Sequence, residues 1–238
     1  MKLLNNYQRR WILHCALGEL LGIGAAGIIA FGVNQVIGEP VTLLQKITVL
    51  VTMLGAGALE GGLLGWFQWQ VLKDRIPFLP AREWVGLTVA VAVLGWFLGM
   101  LPSLFFLNPG PTNTTAAAPS FLQNPWVLII ITIAMGLLVG ALFGLFQWFA
   151  LRKYVMGAGS WITANALGWG LGLGWIYLAA SWPDENTSLP IIIILGIAGG
   201  ILAGLTVGFI TGLYLPALTQ NQPSAFGQPD NLKLTAPS

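Results

Sequence analysis

Residues 57–73 read GALEGGLLGWFQWQVLK, and this stretch decides the fold. Gly57, Gly61, Gly65, Gln68 and Leu72 follow one another at spacings of four, four, three and four. On a helix of about 3.6 residues per turn these positions fall on one ridge. The ridge returns at Gly136, Gly140, Gly144, Gln147 and Leu151, with Phe-Gln-Trp intact and a basic residue after the leucine in both copies, Lys73 and Arg152. A weaker third copy runs Gly200, Gly204, Gly208, Thr211 and Leu215. In lipid, where packing drives helix association, a ridge of glycines lets two helix backbones approach closely. Three helices are therefore expected to be packed against.

Composition places these helices in a membrane. Hydrophobic residues make up 56% of the chain and charged residues 8%, and the mean hydropathy is +0.78. A soluble domain with that balance would lack the polar surface it needs. Six apolar segments, roughly 11–33, 47–72, 84–107, 125–151, 161–180 and 190–216, each approach or exceed the roughly 20 residues that cross a hydrocarbon core. The first is read as an uncleaved span. Pro102 is expected to end or kink the third, leaving Phe105 and Phe106 at the interface. Residues 108–124, uncharged and rich in Pro, Thr and Ala, read as an exposed irregular loop. Residues 1–218 thus form the transmembrane domain, and 219–238 a disordered cytoplasmic tail.

Orientation follows from the cations. Lys2, Arg9, Arg10, Lys73, Arg75, Arg82, Arg152, Lys153 and Lys233 fall on one side of the alternating segments, against Lys46 on the other. Such a bias predicts that both termini are cytoplasmic. The far side receives Glu39, the uncharged loop, Asp184 and Glu185.

The other three helices share a second pattern. Each opens with a tryptophan, Trp11, Trp84 or Trp161, and continues with a glycine pair four residues apart: Gly18 and Gly22, Gly95 and Gly99, Gly168 and Gly172. The two patterns alternate along the chain. The predicted fold class is an all-α integral membrane protein with six transmembrane helices in three pseudo-repeated hairpins, and the final helix is free to close on the first.

The repeated Gly-x-x-x-Gly-x-x-Gln-Trp-x-x-Leu-Lys/Arg pattern occurs at Gly61, Gly65, Gln68, Trp69, Leu72 and Lys73, and at Gly140, Gly144, Gln147, Trp148, Leu151 and Arg152. It resembles an uncharacterised family of bacterial multi-pass membrane proteins of a cyanobacterial kind. The likeness covers the second to fifth helices and departs at the last, where Thr211 and Gly212 replace Gln-Trp. It implies a bacterial inner or thylakoid membrane and no known activity.

Polar groups inside the hydrocarbon are the candidate site. Glu19 and Glu60 stand about 12 and 18 Å from the cation-rich end, counted at about 1.5 Å per residue from Trp11 and Leu72. An acid at such depth costs on the order of 3 kcal/mol and must be paired, hydrated or protonated. Their repeat counterparts are Val139 and Ala203 for Glu60 and Trp169 for Glu19, so the scaffold needs an acid at neither place. A bland alternative satisfies them through a backbone carbonyl or His14. Gln68, Gln147 and Thr211 are expected to make interhelical hydrogen bonds, Trp69 and Trp148 to anchor at the interface, and Cys15 to pack as a small apolar side chain.

With no Cys/His cluster, catalytic triad or phosphate loop, neither an enzyme nor a bound cofactor is expected. A net charge of +2, explained by topology, does not point to nucleic acid. The expected partners are the lipid bilayer and another membrane protein or a second copy. A structural or assembly role within a membrane complex is the leading expectation. A conduit for protons or small solutes through Glu19 and Glu60 is the alternative, and a pigment binder relying on His14 comes third.

Overall fold

The computed structural model describes residues 4–105, 124–184 and 186–220. Phe106, Glu185, Lys2, Lys233, residues 108–123 of the loop expected at 108–124 and residues 221–238 of the expected tail lie outside them. Six helices follow in chain order: α1 (Asn6–Ile37), α2 (Leu43–Leu72), α3 (Ala81–Phe105), α4 (Pro125–Leu151), α5 (Ser160–Ser181) and α6 (Leu189–Gln220). No strand occurs among the described residues.

The helix ends are set by local chemistry. Asn5 and Gln8 form a reciprocal capping box at the start of α1, and Thr42 and Gln45 do the same for α2. Asn124 accepts from the Trp126 N–H at the head of α4, where Pro125 occupies the first turn without needing a donor. Helix α1 stops at Gly38, whose φ of 65° suits a residue without Cβ. The caps extend α1 and α2 beyond their apolar stretches, which is why both begin four or five residues earlier than expected. Pro102 does not end α3, which continues to Phe105.

Among the described residues, five helices are long and apolar enough to cross a membrane. Helix α5 falls short in hydropathy although its 22 residues would extend about 33 Å. It carries Asn165 and the amphipathic rings Trp161, Trp169, Trp175 and Tyr177. Around the bundle, Ile28, Leu44, Val51, Leu138, Ile193 and Ile194 are among many large apolar side chains left exposed. Such a girdle is too extensive for a water-soluble monomer and fits a multi-pass membrane protein.

Every helix packs on its neighbours in sequence, and α6 closes on α1, so the six form a ring. The ridge glycines lie inside it. A Cβ on Gly61 would meet Val89 Cα of α3 at 2.9 Å, one on Gly144 would meet Ile162 Cα of α5 at 2.5 Å, and one on Gly208 would meet Ile12 Cα of α1 at 2.9 Å. The glycine pairs of α1 and α5 likewise face the next helix round the ring: Gly18 meets Leu64 Cα of α2 at 2.9 Å, and Gly168 meets Val207 Cα of α6 at 3.2 Å. Helices α3 and α4 meet less extensively than any other adjacent pair.

The largest core cluster sits at the cation-rich end. It joins Trp11, Trp84 and Trp161 to Leu72, Leu151 and Leu215, and to Ile76, Leu79, Val155 and Ala158 from the two short connections there. The exposed ion pairs Arg10–Asp74 and Lys153–Glu83 tie helix ends together at this end, each worth at most about 1 kcal/mol. At the opposite end, in the α5–α6 connection, the Thr187 hydroxyl and the Asn186 N–H both donate to Asp184. These bonds hold the Asp184 carboxyl below the usual aspartate range.

Candidate functional site

Two polar layers occupy the interior of the ring. The first is built on the tryptophans that open α1, α3 and α5. Trp11, Trp84 and Trp161 are all fully buried. Trp161 meets Trp11 edge to face with centroids 5.6 Å apart and lies 6.3 Å from Trp84. An indole buried in this way needs an acceptor for its N–H. Trp161 Nε1 donates to Gln147 Oε1 at 2.8 Å, and Trp11 Nε1 donates to Thr211 Oγ1 at 2.8 Å. The Gln147 amide nitrogen in turn donates to Gln68 Oε1 at 3.0 Å and to Thr88 Oγ1 at 3.1 Å. The ridge positions Gln68 and Gln147 thus share one network, while Thr211 pairs separately with Trp11, and the Gln147–Gln68 bond joins α4 to α2 across the ring. Trp84 Nε1 has no hydrogen-bond partner.

The second layer holds the two acids. Glu19 is 1% exposed, and neither carboxyl oxygen has a hydrogen-bond partner. Glu60, 7% exposed, accepts from Trp96 Nε1 at 2.6 Å. The glycines create the space for both. A Cβ on Gly204 would stand 2.8 Å from Glu19 Cβ, one on Gly22 would stand 2.8 Å from Glu60 Cγ, and one on Gly57 would overlap the Trp96 ring. Glu19 lies one turn from Gly22 on α1, and Gly22 packs directly against Glu60. The pair is enclosed. Above it stands the tryptophan layer, and below it lies an apolar cluster of Ala26, Val49, Met53, Ala56 and Leu104.

Burial of a carboxyl in such a place requires a proton, a counter-charge or water. The satisfaction expected from a backbone carbonyl or His14 is not found at Glu19. His14 lies on the α1–α2 seam, half-buried, with Nδ1 2.8 Å from the Arg10 carbonyl oxygen and its ring 6.0 Å from that of Phe67. It is five residues from Glu19, and at about 100° per residue the two point about 140° apart around α1. His14 therefore does not join the acids. Among the described residues no cluster of three or more His, Cys, Asp or Glu could hold a metal ion.

Cys15 is buried, and its Sγ takes a long contact of 3.8 Å from Gln68 Nε2. Trp69 donates to the Leu79 carbonyl at 3.0 Å and carries Lys73 over its ring, while Arg152 lies over Trp148. Trp96 was not singled out in the sequence. Its signal was a tryptophan in mid-span, away from either interface, where an indole N–H needs a partner.

No protein-family model, curated protein or solved structure matches this chain.

Proposed function

We propose that this chain is a multi-pass membrane protein that binds and releases protons at the Glu19–Glu60 pair and serves as a conduit for protons or a small solute. The observation that carries this reading is the buried carboxyl of Glu19, without a hydrogen-bond partner, beside a second acid held in place by Trp96. An intramembrane acid with no structural partner is a functional group by default, because packing alone would favour an apolar residue there. The tryptophan layer on one side and the apolar cluster on the other make this an occluded state, so transfer requires a conformational step. The assembly role drew its support from the glycine ridges, and these face the chain's own helices.

The same reading includes six spans, α5 among them, arranged as three similar hairpins. It includes cytoplasmic termini in a bacterial inner or thylakoid membrane, and kinship with the cyanobacterial-type family. Matching turns support the repeat: Ile76 N–H donates to Leu72 O at 2.8 Å, as Val155 N–H does to Leu151 O at 2.9 Å.

The test is proton movement in liposomes holding the purified full-length chain, read with an internal pH dye under an imposed gradient. The unaltered chain should dissipate the gradient faster than empty liposomes. Glu19→Gln and Glu60→Gln should each remove that excess while leaving thermal stability in detergent nearly unchanged, since glutamine keeps the shape and the acceptor for Trp96. Flux retained in both variants, or absent from the unaltered chain, would defeat the proposal.

A further inference from the structure

At the cation-rich end, a cleft of about 430 Å³ opens between the first turns of α3 and the last turn of α4. Arg82, Arg152 and Lys153 line it, with Glu83 as the one acid, and Glu83 is engaged by Lys153. Arg152 is already oriented by stacking over Trp148 and Phe149. Two of the three cations, Arg82 and Arg152, form no ion pair among the described residues. The floor is apolar, from Leu87 and Phe149, and Gly86 leaves it open: a Cβ there would meet nothing within 4 Å.

Below the cleft the same seam is loose. The glycine pairs of α1 and α5 touch the backbones of α2 and α6, yet on α3 a Cβ added at Gly95 would come no nearer a neighbouring element than 3.4 Å, to Val139 Cγ1, and one at Gly99 would meet nothing within 4 Å. The result is a cationic mouth at the interface above a thinly packed apolar seam between α3 and α4. A soluble anion would satisfy the mouth and leave the thinly packed seam uncovered. A phospholipid with an anionic headgroup satisfies both, its phosphate between the guanidinium groups and an acyl chain along α3 and α4. We infer that the α3–α4 cleft is a binding site for an anionic phospholipid.

The full-length chain in mild detergent can be titrated with phosphatidylglycerol, phosphatidylcholine or glycerol phosphate and followed by native mass spectrometry. Phosphatidylglycerol should remain bound at concentrations where phosphatidylcholine and glycerol phosphate do not. The double variant Arg82→Gln/Arg152→Gln should weaken it about 25-fold, from roughly fivefold per cation. Gly86→Leu should also displace it while every charge is kept; a Cβ there meets nothing within 4 Å, and an unchanged unfolding temperature checks that the variant folds. The control Arg9→Gln/Lys73→Gln, which removes two cations from the same end outside the cleft, should bind as the unaltered chain does. Equal weakening in that control would show diffuse surface attraction and overturn the site. So would equal retention of phosphatidylcholine, equal binding of glycerol phosphate, or an undiminished adduct with Gly86→Leu.

Discussion

Adding a single methyl group at Gly144 tests how the ring is held together. A Cβ there would lie 2.5 Å from Ile162 Cα and 3.0 Å from the Trp161 carbonyl oxygen, both backbone atoms of α5. Ordinary contact begins at 3.4 Å, so α4 and α5 would have to separate by about 3.4 − 2.5 = 0.9 Å. That displacement pulls on the Trp161–Gln147 hydrogen bond, which joins the same two helices. Overpacking of this kind costs about 1–3 kcal/mol, against a gain of about 0.5–1 kcal/mol for alanine over glycine within a helix. Gly86→Ala isolates the gain, because a Cβ at that position meets nothing. The difference between the two variants is then the overpacking term itself. At about 2–4 °C per kcal/mol for a chain of this size it corresponds to roughly 2–12 °C in unfolding temperature. Gly65→Ala should fall between them, since its closest neighbour, Thr88 Cβ at 3.0 Å, belongs to a side chain. Thermal unfolding of the three variants in mild detergent gives the order directly. If Gly144→Ala proved as stable as Gly86→Ala, the close α4–α5 approach would be refuted, and with it the account of why the ridges carry glycine.

Gln147→Leu should destabilise the chain by about 1–3 kcal/mol, because it leaves the buried Trp161 N–H and Gln68 oxygen without a partner. Gln68→Leu should cost less, its remaining contact being the long one to Cys15; chemical denaturation ranking the two in the reverse order would contradict the network. Reporter fusions after Asp74 and after Lys153 should report cytoplasm, and a fusion at Asp184 the opposite side. One well-expressed fusion with the inverted assignment would break the alternating topology.

Much of this protein can be read along the chain, because lipid imposes simple rules. A span must be about 20 apolar residues long, its ends are marked by caps and cations, and a face for close packing must be small. Those local constraints specify the helices to within a few residues and put glycines at Gly57, Gly136 and Gly200, where helices meet. Even the departures are local: capping boxes at Asn5 and Thr42 lengthen α1 and α2 past their apolar cores. What spacing cannot supply is the rotation of one helix against the next. Only the packed ring decides that Gly204 of α6 opens room for Glu19, that Gly22 of α1 opens room for Glu60, and that Trp96 of α3 reaches the Glu60 carboxyl. The same holds for the exclusion of His14 from the acids and for the loosened α3–α4 seam. Each depends on contacts between residues distant in sequence, and a helical period names a face without naming what that face will meet.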